Sequence, residues 1–541
     1  MTNRNTILLI GVLLSVCSVR AQQLLGGASE YRYDDAHQLW RHTDNAAALG
    51  VDTMRARGYA QMGFLHRSGD YSRVQEGKRT NQLRFETERY QPVGKYLYGY
   101  GRFDFDYGRT QERAWCDVRR PYHSNPFFPG SAIPGRYDFQ DFHFVAALGT
   151  REIGRWHVGL RLDYDAGDLS RLRDPRSRSQ LLEYKLTPSA TYSLGRSTVG
   201  LSANYHRRKE KIIGVTTLQT DATIEYYTMS GLENAVGTVA GYNGYSREWV
   251  DHRFGTALSY AYKTDGYSLL ASATVERGAE SVLGQYEFEE GKFVDYRYGI
   301  TVRNRIAAGR LLHELDASFG YEQAYADEYR QQYKVEHDNN VQSRDYTYLV
   351  RQDDGTLKEE TATVNRTSDY TSYYYTNLLT FKKRYQVEVL NSWLHYRLNL
   401  VDDCRILGYV GTALAACDAK DSHLLPSSSL HCSNYDLSVE GGYGLLGGRL
   451  WIDGSVMRRF SGKANLSLND ATTDYAALVL IPDMDYYRAN CWQGSIAILY
   501  QQPLTLKGHR TLWFAKAFGS CLNTDNSLNS RSVGLSIGLY Y

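Results

Sequence analysis

Sustained alternation between apolar and charged side chains constrains this chain more than any other feature. In each long run, one set of alternate positions is apolar, aromatic or glycine, and the other carries charges of both signs. The charged positions are Arg102, Asp104, Asp106, Arg161, Asp163, Asp165, Glu314, Asp316 and Arg397. Such alternation predicts β-strands with one apolar and one polar face. The runs reach the roughly 9–11 residues that a tilted membrane strand needs, whereas soluble strands average about 5–6 residues.

The charges on the polar face favour a transmembrane barrel over a soluble β-sandwich, which also alternates. A barrel in a membrane turns its apolar face to lipid and its charged face to a hydrated lumen. The 541 residues include 46 Tyr and 48 Gly but only 10 Pro, a composition typical of many long strands. A mean hydropathy of -0.49 is too polar for a bundle of membrane helices. The charged positions are therefore candidate pore-lining residues.

The connections between the predicted strands alternate between short turns and long loops. This pattern predicts an all-β, transmembrane antiparallel barrel of about 18 strands, in a range of roughly 14–20, with short periplasmic turns and long extracellular loops. The longest loops are predicted near residues 209–249, 326–383 and 461–490. The alternation inside 326–383 is interpreted as an extracellular hairpin, because it flanks a turn sequence and adds no further wall strands.

The N-terminus carries an export signal, because a basic residue precedes an apolar run that is too short to span a bilayer. We predict a signal peptide over residues 1–21, cleaved after Ala21. A short periplasmic or lumenal segment over 22–54 and a barrel over 55–541 follow. Lipidation at Cys17 is the alternative, but the residues before it fit the lipidation motif poorly. The predicted location is the outer membrane of a Gram-negative bacterium.

The C-terminal strand is amphipathic and ends in an aromatic residue. Its apolar positions are Val533, Leu535, Ile537, Leu539 and Tyr541. Such a strand resembles the insertion signal that bacterial outer-membrane barrels present to the barrel assembly machinery. A soluble edge strand is the alternative, but an apolar strand at an exposed edge is an aggregation hazard. A closed barrel removes the hazard by pairing the last strand with the first.

The cysteines form no CxxC pair, so neither a zinc site nor a redox motif is predicted. Cys417 and Cys432 flank a polar stretch, and Cys491 and Cys521 lie symmetrically about a predicted turn. An exported chain can hold disulfides. These two pairs are candidate disulfides if the strand register sets the partners opposite each other.

No catalytic motif is present: GxSxG, HExxH and P-loop patterns are missing, and the histidines lack metal-ligand spacing. We therefore predict that the protein is not an enzyme and has no catalytic, cofactor-binding or metal-binding residues. Asp474, Asp483 and Asp485 offer oxygen ligands for calcium, but a solvated acidic loop is the favoured interpretation. A net charge of +2 gives no support to a nucleic-acid partner.

Two further clusters lie in or beside the long loops. The basic run from Arg207 to Lys211 could pair with the phosphates of lipopolysaccharide, or could be a polar loop root. Tyrosines recur at Tyr226–Tyr227, Tyr373–Tyr375 and Tyr486–Tyr487. Aromatic-girdle or loop packing is the favoured interpretation of these tyrosines, and stacking on a ligand such as a glycan is the alternative.

Several short motifs resemble an uncharacterised family of outer-membrane β-barrel proteins from Bacteroidota, of the domain-of-unknown-function type. The matching residues are Trp40, Asn45 to Ala47, Tyr59 to Phe64, Arg84 to Glu88, Tyr98 with Gly99, and Ser124 to Phe127. The resemblance implies an outer-membrane barrel of unknown role and transfers no binding or catalytic residue.

The charged inner face leads to one functional hypothesis, a channel or porin-like passage for small polar solutes. In the alternative, the charges pair with one another in a closed lumen, and the barrel is a scaffold or surface-binding component of an outer-membrane assembly. The expected partners are outer-membrane lipid and lipopolysaccharide, the barrel assembly machinery and, for a scaffold, a surface lipoprotein.

Overall fold

A computed structural model describes residues 27–52, 55–119, 125–216, 225–239, 245–284, 288–506 and 509–541. The predicted signal peptide and its cleavage point lie outside these residues. In chain order the strands are β1 (Arg57–Gly69), β2 (Arg79–Val93), β3 (Leu97–Arg113), β4 (Phe127–Ser131), β5 (Gly135–Thr150), β6 (Trp156–Arg171), β7 (Arg178–Leu194), β8 (Ser197–Val215), β9 (Glu225–Gly231), β10 (Asn234–Val239), β11 (Tyr245–Lys263), β12 (Tyr267–Leu283), β13 (Glu289–Ala308), β14 (Leu311–Arg351), β15 (Leu357–Asp402), β16 (Arg405–His423), β17 (Ser428–Leu445), β18 (Leu450–Ser467), β19 (Cys491–Leu506), β20 (His509–Thr524) and β21 (Asn529–Tyr540).

All strands except β4, β9 and β10 form one closed antiparallel barrel of 18 strands. Each wall strand pairs with its neighbours along the chain, and β1 pairs with β21, where Tyr59 lies opposite Tyr540. The sheet therefore has no free edge within the wall. The predicted all-β barrel and its strand number are confirmed.

The two ends of the barrel differ, as the alternation of connections predicts. One end, here called the turn rim, carries the chain termini of the wall and short turns such as residues 195–196 between β7 and β8. Gly195 adopts a φ of 69° there, a left-handed conformation that favours glycine. The other end, called the loop rim, carries the long connections.

The outer face of the wall is apolar and the inner face is charged. On β21, Leu535 and Ile537 expose 65% and 66% of their surface on the outside, while Tyr540 points into the lumen. Val533 also faces outward, Leu539 is half-buried, and Tyr541 follows the end of the strand. An exposed apolar face of this kind is stable only where lipid covers it.

Strands β14 and β15 continue beyond their neighbours as a two-stranded ribbon. Their pairing runs from Tyr329 opposite Leu379 to Arg351 opposite Leu357, whereas β13 pairs with β14 only as far as Glu328. At about 3.3 Å per residue, the ribbon projects roughly 75 Å. It lies within the predicted hairpin at 326–383 and contains Tyr373–Tyr375, of which the Tyr373 and Tyr375 side chains lie outside the described part of the structure.

The other predicted loops hold more secondary structure than expected. β8 continues to Val215. Inside the predicted 209–249 loop, β9 and β10 form a small sheet together with β4, which comes from the connection between β3 and β5. β18 continues to Ser467, and helix α2 (Ile481–Arg488) follows. Helix α1 (Ala28–His37) precedes the barrel. Among the described residues, neither helix is long or apolar enough to cross a membrane.

The register supports neither candidate disulfide, and the described cysteines are unbonded. Cys432 lies opposite Ala419, so it is two residues out of step with Cys417. Cys521 lies opposite Gly494 and is exposed on the outer face, whereas Cys491 is fully buried. Because successive side chains of a strand point to opposite faces, the three-residue offset separates this pair across the wall.

Candidate functional site

Residues 28–52, here called the inner segment, lie across the lumen at the turn rim. The N–H of Ala28 donates to Gln501 Oε1 on β19 at 3.0 Å, and Trp451 Nε1 on β18 donates to Ser29 Oγ at 3.2 Å. On β13, Arg305 Nε donates to the carbonyl of Ala36 at 2.5 Å. The segment is therefore held by strands that lie far apart in the wall, and it crosses the lumen between them.

Two inward-facing glycines, here called the glycine seat, allow the second half of the inner segment to lie close against the wall. Gly149 on β5 and Gly159 on β6 lie directly opposite each other. A Cβ atom on Gly149 would lie 2.3 Å from the Ala46 carbonyl oxygen, and one on Gly159 would lie 2.3 Å from the Ala47 nitrogen. Any side chain at either glycine would therefore displace the segment from the wall.

Ion pairs fix the same segment electrostatically. Arg57 on β1 contacts Asp34 at 2.9 Å and Asp35 at 2.8 Å. Burial, together with the charge of Asp35, raises the pKa of Asp34 to about 6, so the contact with Arg57 does not offset the cost of burying this charge. Asp44 contacts Lys185 on β7 at 2.7 Å, and the two wall cations Lys185 and Arg161 lower the pKa of Asp44 against the effect of burial.

A separate structure, here called the cap, lies at the loop rim. It consists of the β4–β9–β10 sheet and the 468–490 connection. Trp249 Nε1 on the wall donates to the Phe127 carbonyl at 2.7 Å. Trp115 packs against Tyr227 and Tyr475, with ring centroids 4.5 and 5.4 Å apart. The cap is held by an apolar core, whereas the inner segment combines ion pairs with apolar packing of Tyr31 and Trp40 against the wall.

Each predicted pore-lining residue faces the lumen, and each has a polar partner there. Arg102 contacts Asp104 at 2.8 Å, and Gln82 donates to Asp106 at 2.6 Å. Arg161 contacts Asp163 at 2.7 Å. The remaining pairs are His143 with Asp165 at 2.9 Å, Arg305 with Glu314 at 3.2 Å, Arg303 with Asp316 at 2.9 Å, and Arg397 with Glu440 at 2.5 Å. The mutual pairing considered in the sequence analysis is therefore present.

Two polar cavities remain between the inner segment and the cap. The first, of about 430 Å³, lies beside the inner segment and is lined by Glu88, Arg102 and Arg161. The second, of about 300 Å³, lies deeper in the lumen and includes Lys185 and Arg253. Both are lined by Asp44 and His143. Together they form a charged chamber, here called the lumenal chamber, that the inner segment closes from below.

A third cavity, here called the outer chamber, lies between the cap and the wall. Its volume is about 380 Å³. Tyr486 and Tyr487 line it, whereas Tyr226 and Tyr227 are buried inside the cap. The first pair therefore presents an aromatic surface to a cavity, and the second pair serves in loop packing. Asp483 also faces the outer chamber.

The predicted lipopolysaccharide cluster divides between the faces of β8. Arg208 is buried in the lumen between Glu210 and Glu280, contacting Glu280 at 2.8 Å. Lys209 and Lys211 both contact Glu248. Each of these three cations therefore has a carboxylate partner within the chain. The buried Arg208 cluster was not predicted, because its partners come from distant strands.

The acidic residues considered for calcium do not converge. Asp474 accepts a hydrogen bond from the Tyr227 hydroxyl at 2.7 Å, Asp483 accepts one from the Val74 N–H at 2.9 Å, and Asp485 is exposed. Within the described ranges, no group of three His, Cys, Asp or Glu side chains is arranged to hold a metal ion.

Residues 46–541 match the family described as Family of unknown function (DUF6850). The chain belongs to this family. The match begins at Ala46, in the turn that sits on the glycine seat, and includes the whole wall. No curated protein sequence matches the chain.

The DUF6850 barrel is also similar to solved structures at low identity. The "Copper transporter OprC" is 10% identical with a TM-score of 0.39, over 89% of this chain and 80% of that one. The outer membrane transporter YddB from Escherichia coli is 8% identical with a TM-score of 0.40, over 89% and 80%. OccAB4 from Acinetobacter baumannii is 9% identical with a TM-score of 0.35, over 90% and 98%. Similarity at this level carries no information about what the DUF6850 barrel binds.

Proposed function

We propose that this DUF6850 protein is a gated outer-membrane passage for small polar solutes and that the inner segment is its gate. The turn rim faces the periplasm and the loop rim faces the outside. The observation that carries the proposal is the lumenal chamber, which is lined by charges of both signs and shares Asp44 with the inner segment.

The chemistry of the chamber supports solute passage over permanent closure. A lumen that serves only as structure can be filled by side chains, whereas this one leaves cavities of about 430 and 300 Å³. The walls alternate Arg161, Asp163 and Lys185 with further carboxylates, so a polar solute can exchange water for protein hydrogen bonds. Opening would exchange the ion pairs of the inner segment, and its apolar packing against the wall, for contacts with water.

Single-channel recording in planar bilayers tests the proposal. The intact protein should be closed for most of the time, because the inner segment blocks the lumen. A variant lacking residues 28–52 should give stable open steps. The matched control lacks the ribbon residues 330–378 and should behave like the intact protein, because the ribbon lies outside the wall. Heat-modifiable gel mobility establishes that each variant is folded.

Persistent silence of the folded variant without residues 28–52 would refute the gate and the passage. In that case a second function is favoured, a closed scaffold that binds a surface lipoprotein or another protein partner. The observation behind it is the ribbon, which offers two unpaired strand edges beyond the wall. Co-purification of a partner, lost on removal of residues 330–378, would support this second function.

A further inference from the structure

We propose that the outer chamber binds an organic cation, specifically a primary amine carried on an apolar or aromatic body. This inference goes beyond the gated passage and does not depend on it, because binding at the cap requires no conduction. It rests on the geometry of the chamber, on one buried carboxyl group and on the balance of charges around it.

The outer chamber has the shape and lining of a small-molecule site. Its volume of about 380 Å³ lies in the range of roughly 300–1,000 Å³ that ligand pockets occupy. Phe128 and Met229 from the cap sheet, Val387 from the wall and Leu480 from the cap provide an apolar surface. Tyr486 adds an aromatic one, so the chamber accepts a compact apolar or aromatic group.

Asp483 supplies the polar group that fixes the orientation of a ligand. The residue is 7% exposed, yet it lines the chamber. Its Oδ1 accepts the N–H of Val74 at 2.9 Å, and within the described part of the chain Oδ2 has no hydrogen-bond donor. A buried carboxylate with a free oxygen is costly unless a donor or a cation reaches it.

Two cations, Arg73 and Arg459, line the chamber together with Asp483, and each contacts a different carboxylate. Arg73 contacts Glu76 at 2.9 Å, and Arg459 contacts Asp436 at 2.7 Å. Among the described residues, neither Asp483 nor the chamber-lining Asp421 has an ion-pair partner. A ligand ammonium group would therefore give Asp483 a direct ion-pair partner, whereas Arg73 acts on it only through its charge and contacts Glu76 instead.

The tyrosines complete the complementarity to a cation. Tyr475 uses its hydroxyl to accept a hydrogen bond from Gln75 at 2.8 Å, which leaves its ring as part of the chamber wall. Tyr486 stacks on Tyr71 at 4.5 Å and meets the Tyr487 ring edge-on at 5.5 Å. Aromatic faces attract an ammonium group when water is excluded. A carboxylate among such rings is a favourable environment for an amine.

Isothermal titration calorimetry of the detergent-folded full chain with 2-phenylethylammonium tests this site. The neutral 2-phenylethanol and the anionic 3-phenylpropionate are the comparison probes. We expect the amine to bind, and both comparison probes to bind at least about tenfold more weakly. Stronger binding of the anion, or equal binding of all three probes, would overturn the proposal.

Substitution of Asp483 tests the residue itself. Asp483→Asn keeps the oxygen that accepts the Val74 N–H, so the cap stays folded, but it removes the charge. The amine affinity should fall roughly 10- to 100-fold, the usual effect of losing a hydrogen bond to a charged group. Asp485→Asn, two residues away on the exposed face of α2, is the matched control and should leave the affinity unchanged. Equal affinities of the two variants would refute the role of Asp483.

A pH titration separates this role from a structural one. Burial raises the pKa of Asp483 to about 7. Because the amine binds the ionised carboxylate, its affinity should rise about tenfold between pH 6 and pH 8. Other charged or titratable groups also face the chamber, namely Arg73, Tyr385, Cys417, Asp421, Cys432, Arg459, Tyr475, Tyr486 and Tyr487, and Glu76 acts on Asp483 through its charge. The Asp483→Asn variant keeps those groups but loses the Asp483 carboxyl, so its affinity should rise clearly less over the same pH range; a profile unchanged by that substitution would contradict the assignment.

Discussion

Adding one methyl group at Gly159 should open the gate without removing any charge. The Cβ of Gly159→Ala would lie 2.3 Å from the Ala47 nitrogen, a distance that no packed Cβ tolerates. The clash is with backbone, so the 46–50 turn of the inner segment has to move away from the wall. Overpacking of this kind costs about 1–3 kcal/mol, and the cost falls on the closed state, in which the segment is seated.

The expected size of the effect follows directly. If the open state does not contact Gly159, a cost of about 1–3 kcal/mol in the closed state raises the open-to-closed ratio roughly 5- to 150-fold. Single-channel open probability in planar bilayers measures this ratio. We expect long openings with the conductance of the variant lacking residues 28–52, because the same lumen is exposed in both.

A second glycine provides the control for strand effects. Gly320 on β14 also faces the lumen, but a Cβ there would meet its nearest atom, the Tyr298 carbonyl oxygen, only at 4.0 Å. Gly320→Ala should leave the open probability unchanged. An unchanged open probability in folded Gly159→Ala, when the variant without residues 28–52 conducts, would refute the reasoning that the glycine seat holds the gate.

Three further predictions concern charge and lipid contact. The raised pKa of Asp34, about 6 against an ordinary value of 3.8, means that protonation favours the seated segment. Open probability in the Gly159→Ala background should therefore fall as pH is lowered through 6 towards 4, and Asp34→Asn should flatten this dependence. Arg208→Met leaves buried Glu210 and Glu280 without their cation and should lower the free energy of unfolding, measured in detergent, by about 3–5 kcal/mol; Lys211→Met, at an exposed pair, should cost below about 1 kcal/mol. Leu535→Lys should cost about 2–4 kcal/mol in lipid vesicles if its outward face lies in the bilayer, whereas lumen-facing Ser532→Lys should cost clearly less.

The wall of this barrel could be predicted from the sequence because its signal is local. Alternation sorts each residue to one face, so Arg102 and Asp104 could be assigned to the lumen and Leu535 to the outside without knowledge of any neighbour. The length asymmetry of the connections is equally local. These properties determine a closed sheet and its approximate strand number.

A lumenal position for residues 22–54 was one of two alternatives that the sequence left open, but the contacts of the inner segment and of the two chambers could not be predicted, because they are long-range. Ala28 and its partner Gln501 are 473 positions apart, and no periodicity links them. The disulfide predictions failed for a related reason: a spacing does not determine register, and a shift of one residue moves a side chain to the other face. Inward-facing glycines such as Gly149 and Gly159 were the available signal, because a lumen-facing strand gains nothing from glycine unless another backbone approaches.

A continuous set of charged neighbours connects the inner segment with the cap. From the inner segment, Asp44 contacts Lys185 at 2.7 Å, and Lys185 lies 4.0 Å from Glu276. Glu276 and Arg253 line the same cavity, and Arg253 contacts Asp251 at 3.5 Å. The path therefore runs from the gate to the middle of the wall through alternating signs.

The upper half of the path reaches the cap. Asp251 lies opposite Arg208 on β8 and opposite Glu280 on β12. Asn125, two residues before strand β4 of the cap, donates to Glu280. Moving the inner segment removes Asp44 from Lys185 and leaves a cation to be compensated by the next carboxylate. Each subsequent pair has to readjust, because an unpaired buried charge costs several kcal/mol. We therefore expect the cap and the gate to influence each other.

A double-mutant cycle with Lys185→Met and Asn125→Ala tests that expectation, with open probability as the readout. Spatial continuity alone is not evidence of coupling, so the interaction energy between the two substitutions is the decisive quantity. We expect about 0.5–2 kcal/mol, a roughly 2- to 30-fold departure from the product of the single effects. Lys263→Met, at the Asp52 contact outside the path, should combine additively with Asn125→Ala. Additivity of both pairs would show that the gate opens independently of the cap.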